Sequence, residues 1–188
     1  ANPRGTDDEV VLHGDVHRDD GIGRAADFAA GLRNLDDGRL VLDRLKLVTI
    51  AFGRAQIEAG ADALGLADHA TGDLVSPKTY EQFLLPVHKE MVRRIGGPLI
   101  LHICGNCGDR LRHFVEAGFD GYHFEWQVDA KEAVRVVNRE MSLVGNLNNP
   151  TTLLRGKPED VYKQARYSIE AGGDIIGPEC AIPLQTPI

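Results

Sequence analysis

The sequence contains few cysteines, more acidic than basic residues and no long apolar run. Its three cysteines in 188 residues do not suggest a disulfide framework. The 21 basic residues are outnumbered by 28 acidic ones, and no basic cluster offers a surface for nucleic acid or for an anionic membrane. No segment approaches the roughly 18 apolar residues of a membrane span, and residues 1–8 do not resemble a signal peptide. We therefore expect one globular domain in the cytoplasm.

Several catalytic and cofactor motifs are also missing. No G-x-S-x-G elbow is present, so a serine hydrolase of that type is not indicated. Gly21 and Gly23 lack the third glycine of a dinucleotide-binding loop. Cys104 and Cys107 form a single C-x-x-C pair, and the sequence has no second one. We therefore expect Cys107 not to be a metal ligand.

The order of predicted elements indicates an α/β fold with a parallel sheet. Residues 1–38 are predicted to be irregular, with a short strand at 10–12 and a helix at 24–34, whereas residues 39–188 alternate helical periodicity with short apolar runs. The predicted strands are Ala63–Ala67, Leu99–Ile103, Gly121–Phe124, Ser142–Gly145 and Asp174–Ile176.

A recurring E-A-G-x-D pattern favours a barrel. It occurs at residues 58–62, 116–120 and 170–174, each time as a helix stop leading into a predicted strand. The spacing corresponds to two βα units. We predict a (β/α)8 TIM-barrel type of fold, of which the chain carries only the C-terminal five or so βα units, because a whole barrel takes about 250 residues. A complete small open sheet of five or six strands is the alternative.

The segment after the first strand predicts an interrupted helix. Ser76 and Pro77 supply an N-cap followed by proline at the first helical position. Pro86 lies inside the apolar stripe that follows, so a bend or break is expected near residue 82. His88 and His113 lie on predicted helices and are expected at the surface.

Polar residues follow every predicted strand, at the end where parallel βα proteins carry their chemistry. His102 and Cys104 are two residues apart and can face the same side of a strand, and Cys180 ends a later strand. Two thiolates and one imidazole suit a catalytic zinc with an open fourth position. Two buried cysteines and a core histidine are the alternative. His123 can face the barrel interior or the helices, and core packing is the favoured interpretation.

Four motifs together resemble the uroporphyrinogen decarboxylase superfamily, and within it the zinc-dependent methylcobamide:coenzyme M methyltransferases. The resemblance covers roughly residues 40–188. The motifs are Asp68 ahead of Ser76-Pro77-Lys78, the segment Leu101–Asn106, the segment Gly145–Pro150 and the segment Gly177–Pro183.

The resemblance implies a zinc-dependent transfer of a methyl group. His102, Cys104 and Cys180 match the zinc ligands. The methyl group comes from a methylated corrinoid on a small partner protein and passes to a thiol, such as coenzyme M, or to tetrahydrofolate. Three strand-end groups are further candidates for catalysis and one for cofactor binding. Glu125 and Glu179 are candidates for a fourth ligand or a partner of a ligand, Asp68 for orienting a ligand or the acceptor, and Asn146 for contacting the cofactor.

Two alternatives stay open at this point. One is a metal-free decarboxylase of the same superfamily, although those enzymes lack the His-x-Cys and distant Cys pattern and place their key aspartate early in the barrel. The other is a non-catalytic barrel fragment that docks a corrinoid protein, because open sheet edges invite pairing with another chain. A homo-oligomer is compatible with every one of these interpretations.

Overall fold

A computed structural model of the protein describes residues 35–187, and residues 39–188 group into one compact unit. The strand predicted at 10–12 and the helix predicted at 24–34 lie outside the described residues. Helix α1 spans Leu35–Glu58, so it begins inside the segment that the sequence predicts to be irregular. Among the described helices, none is both long and apolar enough to cross a membrane.

The described strands form one parallel sheet in the order of the chain. The pairs β1 with β2, β2 with β3, β3 with β4 and β4 with β5 are all parallel. This sequential order is that of a (β/α) barrel, and the predicted α/β class is confirmed. The strands are β1 (Leu64–Asp68), β2 (Leu99–Ile103), β3 (Gly121–Phe124), β4 (Ser142–Leu147) and β5 (Ile175–Pro178).

A helix connects each strand to the next. Short helical turns at Pro77–Thr79, Gly108–Arg110 and Asn149–Leu153 precede three of these helices. The later helices are α2 (Leu85–Ile95), α3 (Leu111–Ala117), α4 (Ala130–Val137) and α5 (Pro158–Ala171).

The two faces of the sheet differ in burial. On β2, Leu99, Leu101 and Ile103 are buried, whereas Ile100 and His102 on the other face are half-buried. The buried face packs against the helices, where Phe114 of α3 lies 4.7 Å from Tyr122 of β3, ring centroid to centroid. The opposite, inner face therefore carries His102.

The E-A-G-x-D pattern ends helices as predicted. Gly60, Gly118 and Gly172 have positive φ angles of 100°, 89° and 101°, the left-handed conformation that suits a helix stop. The structure adds a role for two of the aspartates. Asp120 accepts the backbone N–H of Leu99 at 2.9 Å, and Asp174 accepts that of Leu143 at 2.8 Å. Each aspartate therefore links the start of the strand that follows it to the start of the preceding strand in the sheet.

The predicted helix break is confirmed. The Ser76 hydroxyl accepts the backbone N–H of Thr79, and Pro77 opens the helical turn. Residues Tyr80–Leu84 then form a π-helical turn, and regular α-helix resumes at Leu85. Pro86 cannot donate the hydrogen bond of a continuous α-helix, which accounts for the wider turn before it.

Candidate metal centre

The end of β2 presents His102 and Cys104 on the inner face of the sheet. His102 belongs to the strand and Cys104 follows its last residue. The Nε2 atom of His102 lies 3.4 Å from the Cys104 sulfur. The spacing of two residues therefore produces the shared orientation that the sequence predicts.

Cys180, beyond the end of β5, completes the cluster. Its sulfur lies 3.6 Å from that of Cys104, and the ligand atoms of His102, Cys104 and Cys180 all lie within 4.8 Å of one another. Among residues 35–187, this is the group of His, Cys, Asp and Glu side chains with the geometry to hold a metal ion.

The interatomic distances suit zinc. With bonds of about 2.3 Å to sulfur and about 2.0 Å to nitrogen, tetrahedral geometry places two sulfurs about 3.8 Å apart and a sulfur and a nitrogen about 3.5 Å apart. The 3.6 Å between Cys104 and Cys180 and the 3.4 Å between Cys104 and His102 are close to these values. Three protein ligands leave a fourth position open, as in catalytic zinc sites.

The electrostatics of the cluster also favour a cation. Burial, followed by the neighbouring Cys180 and Glu125, raises the pKa of Cys104 to about 12 in the metal-free protein. A thiolate at Cys104 therefore needs a positive charge beside it. Burial is the main cause that lowers the pKa of His102, which keeps its imidazole in the neutral form that binds metals.

The backbone of His123 fixes the orientation of His102. The His102 Nδ1–H donates to the His123 carbonyl at 3.1 Å. A carbonyl only accepts, so the proton of the neutral ring is on Nδ1 and the Nε2 lone pair faces Cys104. A backbone carbonyl bonded to the far ring nitrogen is the usual partner of a metal-binding histidine.

Glu125 and Glu179 lie next to the cluster in different ways. Glu125, directly after β3, is half-buried and close enough to raise the pKa of Cys104. Glu179 is buried, and its two carboxylate oxygens accept the backbone N–H groups of Trp126 at 2.9 Å and of Asn149 at 2.8 Å. Burial raises the pKa of Glu179. Glu179 thus joins the chain segments after β3, β4 and β5.

The structure does not bring Asp68 to the cluster. Its carboxylate points to the helix side of β1, where Oδ2 lies 3.0 Å from Nε2 of His88 and Oδ1 accepts the N–H of Ala70. His88 contacts the Tyr80 hydroxyl through Nδ1 at 2.7 Å. The expectation that His88 lies at the surface is wrong, because it is only 3% exposed within this network. Its charged partner Asp68, not the solvent, satisfies its polar edge.

Asn146 is also bonded to the protein itself. Its Nδ2 donates to the Val128 carbonyl at 3.1 Å, and its Oδ1 accepts the Ser168 hydroxyl at 2.8 Å. Both amide atoms are used in this packing, so the structure gives no contact between Asn146 and the cluster. Cys107 is fully buried, with its thiol donating to the Cys104 carbonyl, and lies outside the cluster.

Sequence reasoning missed the part played by the His123 side chain. It faces the inner side of the sheet and not the helix-side core, and its ring centroid lies 4.6 Å from that of His102. The strand register explains this placement: His123 is paired with His102 across β2 and β3, and paired positions face the same side of a sheet.

The comparisons with known proteins agree with this fold. Residues 30–188 match the family described as uroporphyrinogen decarboxylase (URO-D). A methylcobamide:CoM methyltransferase, MtaA, from Methanosarcina barkeri is 36% identical over 149 residues, covering 78% of this chain and 44% of the relative. A methylated-thiol–coenzyme M methyltransferase from Methanosarcina mazei is 36% identical over 140 residues, covering 74% of this chain and 38% of the relative.

A solved structure gives the same result for the fold. A methyltransferase from Methanosarcina mazei superposes with a TM-score of 0.80 at 31% sequence identity, covering 87% of this chain and 49% of that structure. The chain spans less than half the length of the two curated relatives. The resemblance predicted from the motifs is confirmed: the chain belongs to the uroporphyrinogen decarboxylase family.

Proposed function

We propose that this chain carries the zinc site of a methyltransferase that moves a methyl group from a methylated corrinoid protein to a thiol. The observation that carries the proposal is the cluster of His102, Cys104 and Cys180, with ligand atoms within 4.8 Å of one another. The two methyltransferases that act on coenzyme M, each 36% identical to the chain, support the same reaction class.

The residues of the cluster have separate tasks. His102 would hold the zinc through a neutral imidazole whose direction the His123 carbonyl fixes, and Cys104 and Cys180 would hold it as thiolates. Bound zinc would supply an open coordination position at which the acceptor thiol is held as a thiolate at neutral pH. The protein then needs mainly to align the two reactants, because no acid–base relay is required.

The transfer balances as a displacement at carbon. The acceptor sulfur attacks the methyl carbon of the corrinoid, and a carbon–sulfur bond forms as the carbon–cobalt bond breaks. The electron pair of the broken bond stays on cobalt, and the products are a thioether and a reduced corrinoid.

Glu125 is the candidate fourth ligand when no acceptor is bound, since it follows β3 directly and lies beside Cys104.

The further details of this function rest on the resemblance. We propose a small corrinoid protein as partner, a coenzyme M-like thiol as first acceptor and tetrahydrofolate as the second one to assay. Thiolate ligands require reduced cysteines, which supports an assignment to the cytoplasm. A metal-free decarboxylase is the second candidate, since the family takes its name from that activity. Turnover of a tetrapyrrole substrate without zinc would favour it.

Metal analysis together with a methyl-transfer assay tests the proposal. The parent chain should bind one zinc ion and convert methylcobalamin and a thiol to the thioether, whereas Cys180→Ser should lose both properties. Cys107→Ser is the matched control, because that thiol is buried outside the cluster and should leave zinc binding intact. Full activity of the Cys180→Ser variant would rule out the zinc mechanism.

A further inference from the structure

We propose that His123 is a positioning residue of the metal cluster, one that holds Cys180 within reach of His102 and Cys104. The inference rests on the proposed function, because positioning Cys180 matters only if the cluster binds a metal. The hydrogen bond that carries it joins two residues of the protein and involves no metal. The His123 Nε2–H donates to the Pro178 carbonyl at 2.7 Å. Pro178 is the last residue of β5 and stands two positions before Cys180.

This hydrogen bond passes over a whole strand. His123 belongs to β3 and Pro178 to β5, and β4 lies between them in the sheet. The bond therefore adds a connection that the sheet pairing does not provide. It links β3, the strand next to β2 with His102, directly with β5, the strand that leads to Cys180.

Gly145 of β4 lies beside this crossing. A Cβ atom at position 145 would lie 3.6 Å from Cδ2 of the His123 ring and 2.6 Å from the Phe124 carbonyl oxygen. Gly145 also has a φ angle of 123°, which side chains other than glycine rarely adopt. The Phe124 carbonyl oxygen and the positive φ angle therefore require glycine at this position, and a Cβ atom there would only touch the His123 ring at an ordinary van der Waals distance.

The two residues before Cys180, Pro178 and Glu179, are both bonded to β3 or to the residues just after it. Pro178 is held by the His123 side chain, and the Glu179 carboxylate accepts the backbone N–H of Trp126, just beyond the end of β3. Cys180 itself follows the last residue of β5, outside regular pairing. Its sulfur must nevertheless stay 3.6 Å from that of Cys104. The hydrogen bond from His123 holds Pro178, two residues earlier, and so restrains the position of Cys180.

His123 also contacts the first ligand. Its ring lies 4.6 Å from the His102 ring at an interplanar angle of 37°, and its carbonyl accepts the His102 Nδ1–H. The side chain is not itself a ligand, since its Nε2–H is donated to Pro178. One residue therefore restrains ligands on β2 and after β5 without joining the cluster.

Two amide substitutions form a matched test. In His123→Gln the side-chain NH2 reaches about as far as the imidazole Nε2, whereas in His123→Asn it stops nearer the backbone and cannot reach Pro178. Zinc affinity, measured by competition with a chromogenic chelator, should fall about 10- to 100-fold in the Asn variant and stay near the parental value in the Gln variant. Thermal unfolding of each variant establishes that it is folded.

A second measurement needs no metal. In a Cys107→Ala background, Cys104 and Cys180 are the remaining cysteines of the chain, and dibromobimane joins thiols that lie a few ångströms apart. Cross-linking of the metal-free protein should be markedly slower in His123→Asn than in the parent and in His123→Gln. The cross-linking rate thereby reports how close Cys180 lies to Cys104.

The outcomes separate the two proposals. If the parent binds no zinc but cross-links faster than the Asn variant, the zinc function fails and the positioning role stands. If the Asn variant binds zinc and cross-links as the parent does, the positioning role is overturned. Equal losses in the Gln and Asn variants would also overturn it, because they would assign the effect to the ring and not to the hydrogen bond with Pro178.

Discussion

His88 lies with its Nε2 atom 3.0 Å from the Asp68 carboxylate, on the helix side of β1 and away from the metal cluster. The carboxylate is an acceptor, so Nε2 carries a proton, and on the other side of the ring Nδ1 lies 2.7 Å from the Tyr80 hydroxyl oxygen. Burial raises the pKa of Tyr80, which keeps its hydroxyl protonated. The network anchors the end of β1 to α2 and to the turn before it.

Asp68 should make stability depend on pH in the acidic range. Burial alone would raise its pKa, but the hydrogen bond and the charge of His88 outweigh burial and hold the pKa of Asp68 below its usual range. Its contribution is therefore fully present above the unfolded value of about 3.9 and is lost as the pH falls through the lower folded value. Urea unfolding of the parent and of Asp68→Asn from about pH 7 to about pH 2 should show a shallower acid dependence in the variant. Parallel curves would contradict this role.

Cys104 of the metal-free protein should react slowly with alkylating agents at neutral pH. Burial first, then Cys180 and Glu125, raises its pKa to about 12, and the thiolate is the reactive form. The rate with iodoacetamide should therefore climb with pH. Glu125→Gln removes one of the negative charges and should speed alkylation at a fixed alkaline pH. The Cys104→Ser variant identifies the contribution of this thiol, and an unchanged rate in Glu125→Gln would argue against the proximity of Glu125.

Glu179→Gln should weaken both the fold and the zinc site. The two carboxylate oxygens accept the N–H groups of Trp126 and Asn149, and an amide offers one oxygen and one NH2 group in their place. One buried backbone N–H then loses its acceptor, at a cost of about 1–3 kcal/mol in the free energy of unfolding. Urea denaturation and zinc occupancy measure the two effects. Glu170→Gln, an exposed residue of α5 paired with Arg166, is the control and should change neither.

The aspartates of the repeated pattern should differ in importance. Asp120→Ala removes the acceptor of the Leu99 N–H and should lower the free energy of unfolding by about 1 kcal/mol. Asp62 occupies the same place in the pattern, but it is exposed and, among residues 35–187, accepts no corresponding backbone N–H. Asp62→Ala should therefore leave stability unchanged. Equal losses in the two variants, measured by urea unfolding, would assign the aspartates a common role as helix stops.

Local chemistry made much of this fold predictable. The bounds of β2 and β3 agree with the prediction, because glycine, proline and aspartate frame short apolar runs there. The break before Pro86 follows from the missing backbone donor of proline. The proximity of His102, Cys104 and Cys180 was likewise predictable, because His102 and Cys104 share a strand face by their spacing, and Cys180 follows a strand of the same parallel sheet.

The sequence by itself therefore determined the order of βα units, the helix stops and the three residues of the cluster, since each depends on short-range periodicity or on the rule that parallel strands end together. Only the tertiary structure decided which of the other strand-end groups join that cluster. Asp68 contacts His88, and Asn146 contacts Ser168. The sequence could not predict these contacts, because alternation along a strand does not say which face is the inner one. The reach of His123 over Gly145 to Pro178 depends on three strands at once, and no local pattern encodes such a contact.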